Sequence, residues 1–188
     1  MRSFILICLL LVGIFTMQTT AAAAPSSDKP PPFDQVLLDN GFEPVESALK
    51  KCEADAHREL SLPYKLPPVP FTFQLAQFRG CSEGLNDNLR IEYLNEKHGK
   101  IHYIMDIRPI ERKLSFRKTR AKHVYKLKDG SEALFLEYRS PKKLSKHERG
   151  FNALVSEHEG WQYYLAIDCR IQKQVPAEAL VAIANSVR

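Results

Sequence analysis

The side chains with most chemistry to offer in this chain are its cations, and they are unevenly spread. Between Arg108 and Lys128 stand nine basic residues (Arg108, Arg112, Lys113, Arg117, Lys118, Arg120, Lys122, Lys126 and Lys128) and a single acid, Glu111. The tract is net +8 in a chain of formal net charge +5, so the remainder is net acidic. Like charges held close together cost free energy unless they are hydrated or face an anion. Arg112, Lys113, Arg117, Lys118, Arg120, Lys122 and Lys126 are therefore the candidate contacts for an anionic partner, with a solvated loop as the competing expectation. Phe116, Tyr125 and the aliphatic stems of the basic residues would let such a face pack on a lipid or polymer surface. A second basic loop, from Arg139 to Arg149, adds Lys142, Lys143 and Lys146.

Other chemistry is sparse. The sequence holds no Gly-x-Ser-x-Gly elbow, no His-Glu-x-x-His pair and no Ser-x-x-Lys followed by its companion motifs. Glu53 and His57 share a helix face at i, i+4, but two ligands do not make a metal site. His98 and His102 straddle a hairpin loop and are expected to be exposed, and Asp87 and Asp106 have no spacing that pairs them for acid–base work. No catalytic residue, cofactor or metal is expected. Cysteine usage is equally spare. Beyond Cys8, the chain has Cys52, Cys81 and Cys169, enough for one internal disulfide with one thiol left over, and spacing does not distinguish the three pairings. Cys52 falls on the apolar side of a predicted helix, whereas Cys81 and Cys169 occupy loop or strand-end positions and are the expected partners.

Where these groups work is indicated by the first residues. Arg2, an apolar run from Phe4 to Met17 and the stretch Ala21-Ala22-Ala23-Ala24 have the layout of a secretory signal peptide, with cleavage expected after Ala23. An uncleaved anchor is the alternative. No later stretch reaches the ~18 apolar residues of a membrane span. Residues 1–23 are thus read as a signal peptide, 24–32 as a disordered proline-rich spacer, and 33–188 as a single domain of ordinary size.

The elements that must position the basic tract follow from periodicity. Phe33 to Leu38 reads as a short helical turn, and Val45, Ala48, Leu49, Cys52, Ala56 and Leu60 recur at helical spacing from Pro44 to about Leu60. Four prolines between Ser61 and Pro70 impose an extended crossing. Strand alternation then appears in Phe71–Phe78, Leu89–Tyr93 and Ile101–Arg108, in Lys122–Lys128 and Ala133–Tyr138 around Asp129-Gly130, and in Phe151–Glu157 and Trp161–Asp168. Trp161 and Tyr163 are expected to pack in the core, and Pro176 opens a closing helix with Leu180, Val181, Ile183, Ala184 and Val187 on its apolar side. The expected fold is α+β: a meandering antiparallel sheet of about seven strands with the N-terminal and C-terminal helices packed on one face.

Two stretches carry a resemblance. Pro63-Tyr64-Lys65-Leu66-Pro67-Pro68-Val69-Pro70-Phe71 and the ending Gly160-Trp161-Gln162-Tyr163-Tyr164 with Pro176 to Val187 look like an uncharacterised extracytoplasmic domain of Gram-positive Firmicutes. That domain has a Leu-Pro entry and a closing helix of the form Leu-x-x-Ile-Ala-x-Ser-Val, and occurs in secreted proteins, lipoproteins and anti-sigma-factor-like proteins. The resemblance covers roughly residues 60–188 and implies a curved antiparallel sheet with a binding or sensing role. It supplies no catalytic residue, and this chain lacks the membrane helix and sigma-binding region of the anti-sigma-like members.

The expected function is that of a secreted or cell-surface, non-enzymatic domain whose basic face meets an anionic envelope polymer, lipid head groups or an acidic protein. Nucleic acid is a poor candidate for want of access. A carrier enclosing a lipid or apolar ligand within the sheet's concave side is the second expectation, and a secreted hydrolase with an unfamiliar site the third.

Overall fold

The order of the strands explains the rest of the molecule. β1 (Phe73–Phe78), β2 (Leu89–Leu94) and β3 (His102–Pro109) form one meander; β4 (His123–Lys126), β5 (Glu132–Glu137), β6 (Phe151–His158) and β7 (Trp161–Asp168) form another. They join through β3 and β7 into one antiparallel sheet of order β1-β2-β3-β7-β6-β5-β4. The computed structural model describes residues 33–82, 84–99, 101–138 and 150–188; the predicted signal peptide, the spacer and the basic loop 139–149 lie outside the described residues.

One face is covered by helices, as the sequence predicts. α1 (Phe33–Asp39) precedes α2 (Val45–Ala56), which packs on β1 and β2, and α3 (Ala177–Ala184) packs on β6 and β7. Strand register places Leu89, Ile91 and Tyr93 beside Ile107, Met105 and Tyr103, and these beside Tyr163, Leu165 and Ile167, all on the helix-covered side. With Ala48, Leu154, Trp161, Leu180 and Ile183 they form the core. The proline-rich stretch crosses this face in extended form, held by Tyr64 N–H to the Ser186 carbonyl (3.3 Å) and by Asn95 Nδ2 to the Pro70 carbonyl (2.8 Å).

α2 ends earlier than its apolar spacing predicts. His57 takes a left-handed conformation (φ 49°) after Ala56, and the Glu53 carboxylate accepts from Leu60 N–H at 3.0 Å. The turn brings the Glu59 and Ser61 carbonyls over the sheet, where Trp161 Nε1 and the Tyr163 hydroxyl donate to them, each at 2.8 Å. Leu60 is still buried, as its apolar character requires, but as part of this turn.

The disulfide joins Cys52 to Cys81, correcting the expected pairing of Cys81 with Cys169. Cys81 follows β1 at the sheet edge, whereas Cys169 follows β7, separated from β1 by β2 and β3. Three strand spacings amount to roughly 14 Å, well beyond the ~7 Å between Cα atoms that a disulfide can bridge. Cys52, on the buried side of α2, sits with its Cα 5.2 Å from that of Cys81. Asp55 reinforces the join, accepting from Cys81 N–H (2.6 Å) and from the Ser82 hydroxyl (3.1 Å). Cys169 is a buried free thiol, pushed up from its ordinary pKa first by burial and then by Asp168.

Candidate functional site

The reverse face carries polar residues that are not all wet. Arg90, Glu92, His102, Asp106, Arg108, Gln162 and Tyr164 alternate with the core residues along β2, β3 and β7, so all point away from the helices. Asp106 accepts a two-pronged hydrogen bond from Arg90 (2.8 Å at each oxygen) and a third from Asn88 Nδ2 (2.7 Å). The pairing with Asp106 raises the Arg90 pKa, while burial pushes Arg108 down. His102, expected at the surface, is buried with Nε2 3.0 Å from Glu92 and its ring edge-on to Phe151. Asp106, too, is a buried anchor rather than a carboxylate on a wet strand. Asp87 accepts from Ser82 N–H and Gly84 N–H and shapes the loop after β1.

Topology forces a chain segment across this face. β3 is near the middle of the sheet and β4 is at its far edge, so the connection must traverse β7, β6 and β5. With the helices on the other side, it crosses the reverse face. A 3₁₀ turn at Ile110–Arg112 leads into an extended arm, residues 113–117, and a second 3₁₀ turn at Lys118–Arg120 delivers the chain to β4. Gln162 holds the arm, accepting from Leu114 N–H (2.8 Å) and donating to the Leu114 carbonyl (3.0 Å). Phe116 stacks on Tyr164, ring centroids 6.1 Å apart and planes inclined by 21°.

The connection from β3 to β4, residues 110–122, carries most of the basic tract, and the tract's charges fall into two groups. Lys113 pairs with Glu157 (2.8 Å), Lys118 with Glu132 and Lys122 with Glu137, so acids of β5 and β6 neutralise three of the seven candidate contacts. Arg117, Arg120 and Lys126 are exposed and have no ion pair among the described residues; Arg112 is half-buried, its Nε without a hydrogen-bond partner. Arg108, counted in the tract by sequence, is buried in the polar seam.

An open hollow lies on each side of Phe116. The first, about 690 Å³, is lined by Ser115, Phe116, Arg117, Arg120, Leu136, Glu137 and Tyr138. The second, about 630 Å³, runs from Lys113, Leu114 and Lys118 over Leu134 and Val155 to Gln162. Both volumes fall in the range of small-molecule sites. The chain matches no family model, no curated protein and no solved structure. The first hollow combines two guanidinium groups without an ion pair among the described residues with two aromatic walls and an aliphatic floor, its one carboxylate, Glu137, being paired with Lys122; the arrangement can hold an anion bearing an apolar body.

Sequence reasoning found Arg117 and Arg120 by charge density but not Phe116's role as a wall, nor Leu136 and Tyr138, which reach the site from β5 and its end. No sequence signal ties those residues together, because the contact is made only when the arm crosses the sheet. Glu53 accepts from the Leu60 amide, and His57 is the left-handed residue that ends α2. Among the described residues no group of three His, Cys, Asp or Glu side chains is placed to hold a metal.

Proposed function

We propose that the protein is an exported, non-enzymatic binding domain that takes an anionic group at Arg117 and Arg120. The observation that carries the reading is the partition of the basic tract: its lysines at 113, 118 and 122 are paired internally, and the two arginines beside the aromatic hollow have no ion pair among the described residues. Charges with internal partners serve the fold; exposed ones beside a cavity are available to a ligand. Export rests on the signal-peptide layout of residues 1–23, and the resemblance of residues 60–188 to an extracytoplasmic domain points the same way. The space between helices and sheet is occupied by side chains such as Tyr103, Trp161 and Leu165, which favours the arm side over the concave side as the place for a ligand.

The test is cosedimentation with anionic vesicles and with a phosphate-rich polymer over a salt series, beside the double variant Arg117→Glu/Arg120→Glu. Binding that weakens as salt shortens the screening length below about 10 Å, and that falls at least tenfold in the variant, is the expected result. Equal retention of the variant would refute the assignment. Export is checked separately by N-terminal sequencing of protein recovered outside the cytoplasm, with Ala24 as the expected first residue.

A further inference from the structure

The two hollows differ in charge but share a floor. Leu136 lines the first and Leu134 the second. They lie on the same face of β5, two residues and thus about 7 Å apart, so an aliphatic strip runs from one hollow to the other past Phe116. At the first end stand Arg117 and Arg120 without ion pairs among the described residues; at the second, Lys113 and Lys118 are each neutralised by a glutamate. A ligand that satisfies both ends therefore has its charge at one end only. Its other end must be apolar enough to replace water over the half-buried Leu134 and over Leu114, which is 43% exposed, with the buried Val155 beneath them.

We infer that the ligand is a single-chain alkyl phosphate amphiphile, its phosphate between Arg117 and Arg120 and its chain lying along β5 toward Leu134 and Val155. Two guanidinium groups match a doubly charged phosphate monoester better than a singly charged carboxylate, since each can donate a pair of parallel N–H bonds. The inference rests on the anion-binding reading above and adds to it the tail, the head and their direction.

The experiment is calorimetric titration of the purified protein with inorganic phosphate, butyl, octyl and dodecyl phosphate, dodecanoate and the neutral octyl glucoside, each below its micelle concentration. Affinity should rise about three- to fourfold per added CH₂ while the chain is being buried, and dodecyl phosphate should bind more tightly than dodecanoate. Arg117→Glu/Arg120→Glu should remove binding of every phosphate. Leu114→Asp, at an exposed position whose backbone clip to Gln162 is independent of the side chain, should flatten the dependence on chain length; a dependence as steep as in the unaltered protein overturns the placement of the chain. A flat series in the unaltered protein, with inorganic phosphate binding as tightly as dodecyl phosphate and still requiring the arginines, overturns the tail and leaves the anion site standing. Preference for dodecanoate overturns the phosphate head. Binding of octyl glucoside as tight as octyl phosphate, or no binding of any phosphate, overturns both the inference and the reading beneath it.

Discussion

Along β3 the side chains of Tyr103, Met105 and Ile107 enter the core beneath the helices, while His102, Asp106 and Arg108 of the same strand face the other way and are also buried. The first set is held by apolar contact and aromatic packing, such as Tyr93 against Tyr103 with centroids 5.5 Å apart. The second is organised by directional pairs, Arg90 and Asn88 on Asp106 and His102 with Glu92. Burial thus does not separate the two faces; their cohesion does. Apolar burial tolerates small displacements, whereas a two-pronged guanidinium–carboxylate pair works in one register only, so the reverse face fixes the alignment of β2 and β3. The arm then crosses a surface whose geometry is already set.

The broadest test of that contrast uses alkali. Burial holds the phenols of Tyr103 and Tyr163 on the helix side, and of Tyr164 on the reverse, above the ordinary value of 10. A folded-state pKa raised above the unfolded one gives stability that is complete below pH ~10 and is lost as pH rises past it, because the unfolded chain then releases protons that the folded one keeps. Cooperative unfolding in alkali is expected, with phenolate absorbance from these three appearing only as circular dichroism is lost. Their ionisation in an intact fold would mean that neither face is closed as described.

Among single substitutions the helix side should dominate. Trp161→Ala removes a fully buried indole, its bond to the Glu59 carbonyl and the Arg58 guanidinium stacked 4.7 Å from its ring; a loss of about 3–5 kcal/mol is expected in urea unfolding. Asp106→Ala should cost somewhat less, about 2–3 kcal/mol, because Arg90 keeps 29% of its side chain in solvent. The sharper form of this test is the double variant Arg90→Met/Asp106→Leu, expected to recover much of that loss, since the isolated charge rather than the missing pair is the expensive state. If Asp106→Ala behaves like a surface change, within about 0.5 kcal/mol, the polar seam is no second core.

The smallest effects should differ in sign within one face. Among the described residues the Tyr103 hydroxyl is buried without a hydrogen-bond partner, whereas that of Tyr163 donates to the Ser61 carbonyl. Tyr103→Phe is expected to be neutral or stabilising by up to about 1 kcal/mol, and Tyr163→Phe to cost about 1 kcal/mol. Thermal unfolding of the pair resolves the difference, and a loss in both would mean that Tyr103 has a partner after all.

The fold was largely readable from the sequence because its local signals agree. Alternation marked Leu89, Ile91 and Tyr93, the Asp129-Gly130 turn has Gly130 at φ 86°, and Glu159 and Gly160 both take positive φ between β6 and β7. Alternation, however, says which residues share a face and not whether that face is dry. His102 and Asp106 looked exposed because the groups they meet, Phe151 and Glu92 for His102 and Asn88 with Arg90 for Asp106, stand on other strands or beside them. The same blindness to distant partners hid the disulfide, which depends on which strand lies beside α2, and split the basic tract. Nine cations in one run are visible, but the acids that pair with Lys113, Lys118 and Lys122 are contributed by β5 and β6.

The position of Cys169 bears on how the right bridge is reached. A chain that emerges from its N-terminus presents Cys52 and Cys81 together, and most of the sheet must still follow before the third thiol arrives. Vectorial emergence therefore favours the native bond kinetically, since oxidation can be complete before a competitor exists. Cys169 is then sealed in as the last strands close, its thiolate disfavoured by burial and by Asp168. Oxidation of the whole unfolded chain lacks that timing and offers three pairings at once, so the native isomer should be recovered in higher yield from synthesis-coupled oxidation than from refolding of the reduced protein.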